Sequence, residues 1–128
     1  MKAILDTHAF LWWVLDNHRL SKTAHDFIID PNNTIFLSAV SGWEMAIKWG
    51  IGKLTLPAQP DIFVEQQLEI NNFTPLPIQM AHGLYVHELP EIHKDPFDRL
   101  LIAQSKIERL LLISADSIFQ QYPVSLLW

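Results

Sequence analysis

The chain has 128 residues, enough for one domain with a buried core. Hydrophobic residues make up 49% of it and charged residues 18%, which excludes a disordered chain and leaves more apolar surface than a solitary monomer needs. The absence of cysteine removes disulfide frameworks and thiolate metal sites, and a net charge of −5 argues against a general affinity for nucleic acid.

Ala3 to Leu5 is a short apolar run, and His8 to Leu15 reads as an apolar-rich helix. Ser21 is the expected N-cap of a helix over Lys22 to Ile29. Pro31-Asn32-Asn33 is a turn, and Thr34 to Leu37 a buried strand. Further helices are expected from about Gly42 to Trp49 and from Ile62 to Asn71, the second capped by Asp61. Phe73-Thr74 is a candidate strand, Gln79 to Val86 a short helix, and Pro96 to Glu108 a strong helix. Leu110 to Ile113 reads as a strand, Ser117 to Gln121 as a helical turn, and Val124 to Leu127 as a last strand.

The longest apolar runs, Ala9 to Leu15 and Leu110 to Ile113, are far too short to span a bilayer. The apolar stretch after Lys2 is broken at Asp6, with no cleavage site of small residues following, so no signal peptide is read. These features lead us to expect a cytoplasmic protein with no membrane association.

Strands alternating with helices, and apolar along their whole length, predict a parallel sheet covered on both faces. In such a sheet the strand C-termini and the N-termini of the following helices share the edge where ligands bind. Asp6 follows the first strand, Glu44 lies early in the helix after the second, Asp98 in the first turn of the long helix, and Asp116 after the strand that succeeds it. Each acid also has a structural explanation. Asp6, Asp95 and Asp116 stand where helix caps belong, and Ser41-Gly42-Trp43-Glu44 reads as a capping box.

Taken together, four acids at one edge repel one another unless they protonate or a cation joins them. An all-oxygen ligand set favours Mg²⁺ or Mn²⁺ over zinc. Such a site activates water for in-line phosphoryl displacement, although spacing alone does not separate nuclease from phosphatase. No H-x-x-x-H, H-E-x-x-H, P-loop or dinucleotide-binding motif occurs. Asp6-Thr7-His8 lacks the second aspartate of aspartyl-phosphate hydrolases. His8 and His93 lie near the acids, as surface or packing residues, as groups supporting the site, or as substrate contacts.

Leu5-Asp6-Thr7-His8-Ala9, Ser38-Ala39-Val40-Ser41-Gly42-Trp43-Glu44 with Lys48, Asp95-Pro96-Phe97-Asp98-Arg99-Leu100-Leu101-Ile102-Ala103-Gln104 and Ser114-Ala115-Asp116 occur in that order. Across essentially the whole chain this pattern resembles the PIN-domain family, and within it the VapC-type toxins of toxin–antitoxin pairs. The resemblance implies a three-layer α/β/α fold with a mostly parallel sheet. It also implies Mg²⁺- or Mn²⁺-dependent endoribonuclease activity and a small antitoxin partner. Asp6, Glu44, Asp98 and Asp116 match the family's metal-binding acids. Asp95 matches a subgroup and is held as supporting, as is Ser114, where many members carry threonine.

Lys48, Lys53, Lys94 and Arg99 lie in or near these segments, and Lys48 and Arg99 are the candidate RNA contacts. Trp12 and Trp13 are neighbours on a helix and face different ways, which places one in the core and the other at a partner surface, in a homodimer or under an antitoxin segment. Trp43 and Trp49 are expected in the core. The alternatives to a toxin are an RNA-processing nuclease of the same fold without an antitoxin, and a non-catalytic binding module that keeps its acids for structure.

Overall fold

The computed structural model describes residues Met1–Trp128. Its centre is a five-stranded sheet of β1 (Lys2–Leu5), β2 (Thr34–Ser38), β3 (Thr74–Leu76), β4 (Leu111–Ile113) and β5 (Leu126–Leu127), in the order β3-β2-β1-β4-β5. Every pairing is parallel, with Ile4 opposite both Phe36 and Leu112. The helices are α1 (Thr7–Val14), α2 (Lys22–Ile29), α3 (Ala39–Gly50), α4 (Pro60–Asn71), α5 (Met80–Tyr85) and α6 (Pro96–Glu108).

The period-two alternation of a strand sends neighbouring side chains to opposite faces, and two separate cores follow. Ala3 and Leu5 of β1 face Phe10, Ala24, Ile28 and Phe63, from α1, α2 and α4. Ile4 faces the other way, onto Leu101 and Ile102 of α6 together with Phe119 and Tyr122. Helix α3 contributes Met45 to the first core and Val40 to the second. The arrangement is the expected three-layer sandwich, with a sheet that is parallel throughout.

Local signals explain most boundaries. Ser21 caps α2 through Ala24 N–H, and Asp95 with Pro96 at the first position opens α6. Two helix starts differ from expectation by more than one residue. Helix α3 begins at Ala39 rather than Gly42, because Ser38 accepts from Val40 N–H and serves as the cap. Helix α4 begins at Pro60, with Asp61 inside its first turn instead of capping it. No helix is long and apolar enough to cross a membrane.

Trp43 is 55% exposed, against the expectation of a core position. Ser41, Glu44 and Met45 take the inward arc of α3, which turns Trp43 and Ile47 outward, and Trp43 packs edge-on against Phe97 at 5.1 Å. Trp13 does reach the first core and donates to Asn71 Oδ1, while Trp12 lies between His8 and Trp128. Trp49 packs against the first core as expected.

Candidate active site

The sheet's C-terminal edge gathers the acids. Asp6 follows β1, and its backbone N–H bonds to Ile113 O of the neighbouring β4. Its Oδ1 accepts from Ala9 N–H at 2.7 Å, so it caps α1 while remaining buried. The Ser114 hydroxyl accepts from Asp116 N–H and lies close enough to Asp6 to lower its carboxyl, at the adjoining ends of β1 and β4. Asp116 is exposed and accepts from Ile118 N–H at the start of the turn Ser117–Gln121.

Glu44 lies in the second turn of α3, buried, and takes no part in a capping box. Its Oε1 accepts from the Thr7 hydroxyl at 2.6 Å, and its Oε2 pairs with Lys48 Nζ at 2.5 Å. Ser41, the residue expected to cap, is buried with its hydroxyl unpartnered. The N-terminus of α3 is instead fixed to α6 by the Ser38 hydroxyl, which donates to Gln104 Oε1 at 2.5 Å.

Asp95 caps α6 by accepting from Asp98 N–H, and so holds the turn that carries Asp98. Asp98 is itself bonded to His93 Nε2 at 3.1 Å. Burial lifts its carboxyl to about 6, the His93 hydrogen bond opposes that rise, and the charges of Asp95 and Asp116 add to it. The Asp6 carboxyl is also raised, again chiefly by burial and further by Asp116, against the lowering effects of Ser114, Ala9 N–H and His8. Asp116 thus acts electrostatically on both Asp6 and Asp98.

Crowded, partly desolvated carboxylates with no soft ligand among them suit a hard divalent cation. In the side-chain positions seen here no three of them close on a common point. The reason is visible in their bonds: Lys48 engages Glu44, and His93 engages Asp98.

Arg99 does not face solvent. It is 8% exposed, and its guanidinium donates to Pro90 O, Val86 O and the Tyr122 hydroxyl, which withdraws it as a direct RNA contact. Lys48 remains at the edge, half-buried on Glu44, while Lys53 and Lys94 are exposed. Sequence reasoning missed Thr7 and Tyr122 as site-building residues. The first lies inside the Asp6 motif, and the second carries no local signal.

The PIN domain family profile matches residues 3–124, and the chain belongs to the PIN-domain family. Ribonuclease VapC16 of Mycobacterium tuberculosis is 38% identical over 53 residues, which is 41% of this chain and 38% of that protein, so the match spans under half of that relative's length. Among solved structures, VapBC2 from Rickettsia felis bound to a DNA fragment from its promoter superposes with a TM-score of 0.73 at 17% identity, over 98% of this chain and 97% of that one. FitAcB from Neisseria gonorrhoeae gives 0.64 at 16% identity, over 98% and 96% of the two chains. A toxin–antitoxin complex from Klebsiella pneumoniae gives 0.59 at 17%, over 94% and 92%. At these identities the likeness is one of fold.

Proposed function

We propose that the chain is a divalent-metal-dependent endoribonuclease that acts in the cytoplasm as the toxin of a toxin–antitoxin pair. The observation that carries this reading is the placement of Asp6, Glu44, Asp98 and Asp116 around one edge of a PIN-domain sheet. The ribonuclease name of the relative and the toxin–antitoxin character of the structural neighbours support it.

In this reading the four carboxylates hold Mg²⁺ or Mn²⁺, which activates water and stabilises the oxygens of an in-line phosphodiester displacement. The chain's own contribution is positioning. Asp6 is fixed by Ala9 N–H, Glu44 by Thr7, and Asp98 by His93. Lys48 pairs with Glu44, and its ammonium stands at the site edge as a cation for a substrate phosphate.

An exposed apolar stripe at helical spacing along α3 and its C-cap, made of Trp43, Ile47 and Ile51, supports a protein partner over a nuclease that acts alone. The partners proposed are a small antitoxin and a second copy of the chain. The decisive experiment incubates purified protein with a mixed RNA pool in Mg²⁺, Mn²⁺ or EDTA. Cleavage is expected in the metals, none in EDTA, and none for Asp6→Asn at unchanged circular dichroism. Full activity of Asp6→Asn would remove the assignment. Saturating Mn²⁺, at about 100 times its dissociation constant, should also stabilise the fold by ~2.7 kcal/mol.

A further inference from the structure

His93 joins the site through a chain of hydrogen bonds whose direction is fixed from inside the fold. The Tyr122 hydroxyl oxygen accepts from Arg99 Nη1 at 3.2 Å and from the His93 backbone N–H at 3.3 Å. A guanidinium has no acceptor and keeps its charge, so Arg99 is a donor under all conditions. Both acceptor positions of the hydroxyl are thereby filled, and its own proton needs a partner. That partner is His93 Nδ1, at 2.6 Å. With Nδ1 accepting, the neutral ring carries its proton on Nε2, which points at Asp98 Oδ2 at 3.1 Å.

Arg99 and Asp98 are adjacent in sequence, about 100° apart around the start of α6. The contacts Arg99–Tyr122–His93–Asp98 therefore close into a ring. Arg99 is locked in turn by Pro90 O and Val86 O. Tyr122 is 4% exposed and packs edge-on against the His93 ring at 5.3 Å. The anchor is rigid at its buried end and terminates on a site acid.

We infer that Arg99 and Tyr122 set the tautomer and orientation of His93, and that His93 is a positioning residue which holds Asp98 by Oδ2 and leaves its other oxygen to a divalent cation. The assignment rests on the proposed metal site. It matches the general pattern in which an outer hydrogen bond orients a liganding side chain, where loss of the partner costs roughly 10–100-fold in affinity or activity.

Two readouts test it apart from the nuclease reading. The first is the imidazole nitrogen spectrum of the metal-free protein by NMR. The wild type should show a single neutral tautomer protonated at Nε2, and Tyr122→Phe should raise the fraction protonated at Nδ1. The second is Mn²⁺ affinity by calorimetry, with Mn²⁺ alone as the probe. His93→Ala should bind about 10–100-fold more weakly. His93→Gln, which offers an amide N–H to Asp98, should recover most of the loss.

A wild-type ring protonated at Nδ1, or a tautomer that ignores Tyr122→Phe, overturns the relay. Equal Mn²⁺ affinity in wild type and His93→Ala overturns the positioning role. A wild type that cleaves no RNA yet shows the Nε2 tautomer and the His93-dependent affinity removes the nuclease reading and leaves the relay standing.

Discussion

The Thr7 hydroxyl donates to Glu44 Oε1 at 2.6 Å, tying the first turn of α1 to the second turn of α3 across 37 positions of sequence, with both residues buried. A hydrogen bond to a charged group contributes about 1.5–3 kcal/mol. Thr7→Val keeps the shape and removes the donor. It should lower unfolding stability by about that amount in urea titrations without metal. A change below ~0.5 kcal/mol would mean that Lys48 alone holds Glu44.

Asp98 gives the metal-free protein a pH dependence. Its folded-state carboxyl keeps a proton up to about 6, whereas the unfolded chain releases it near 3.8. Between those values the folded protein binds more protons than the unfolded one, so this group's contribution to stability falls as pH rises. The raised Asp6 carboxyl acts in the same direction. Asp98→Asn should therefore stabilise the metal-free protein at neutral pH by about 1–3 kcal/mol, at 1.36 kcal/mol per pH unit, with little effect near pH 4. Melting temperatures in EDTA from about pH 4 to 8 read this directly. Parallel curves for mutant and wild type would show that Asp98 carries no such burden.

Asp95 and Asp98 lie three residues apart and should separate by phenotype. Asp95 accepts from Asp98 N–H as the cap of α6. Asp95→Ala should cost roughly 0.5–2 kcal/mol of stability, and Asp95→Asn, which still caps, should cost little. Both should keep most activity per folded molecule, while Asp98→Ala should lose most activity. If Asp95→Ala proves fully stable and inactive, Asp95 itself holds the metal.

Arg99 donates inward, to Pro90, Val86 and Tyr122. Arg99→Met should leave buried carbonyls without donors, at about 1–3 kcal/mol each. The loss should appear in thermal stability and not in the salt dependence of RNA binding. A stable Arg99→Met protein with weakened, less salt-sensitive RNA binding would restore Arg99 to the substrate surface.

Signals contained within a few residues were legible before the structure. Ser21 gave α2, and Asp95-Pro96 gave α6, both with the bounds expected, because a cap and its first turn are local. The apolar strands gave a parallel sheet and with it the edge where the acids lie. What was not legible depended on competition or on distance. Ser38 and Ser41 both suit a cap, and Ser38 prevails because its hydroxyl also reaches Gln104, 66 positions away. Arg99 reads as a free cation until Tyr122 is placed beside it, 23 positions on. Trp43 reads as core until the inward arc of α3 is seen to be taken by Glu44 and Met45.

The central position of β1 also bears on the order in which the molecule is made. Ile4 pairs with Leu112, so β1 waits for a neighbour more than a hundred residues later. Loop closure over such a distance is slow, and domains assemble as their segments leave the ribosome. Ser114 and Asp116 come to act on the Asp6 carboxyl only after that pairing forms. The Asp6–Glu44 side of the site closes over 37 positions through Thr7, whereas the Asp6–Asp116 side closes over more than a hundred. Topology alone thus makes the Asp116 side of the site the slowest to assemble.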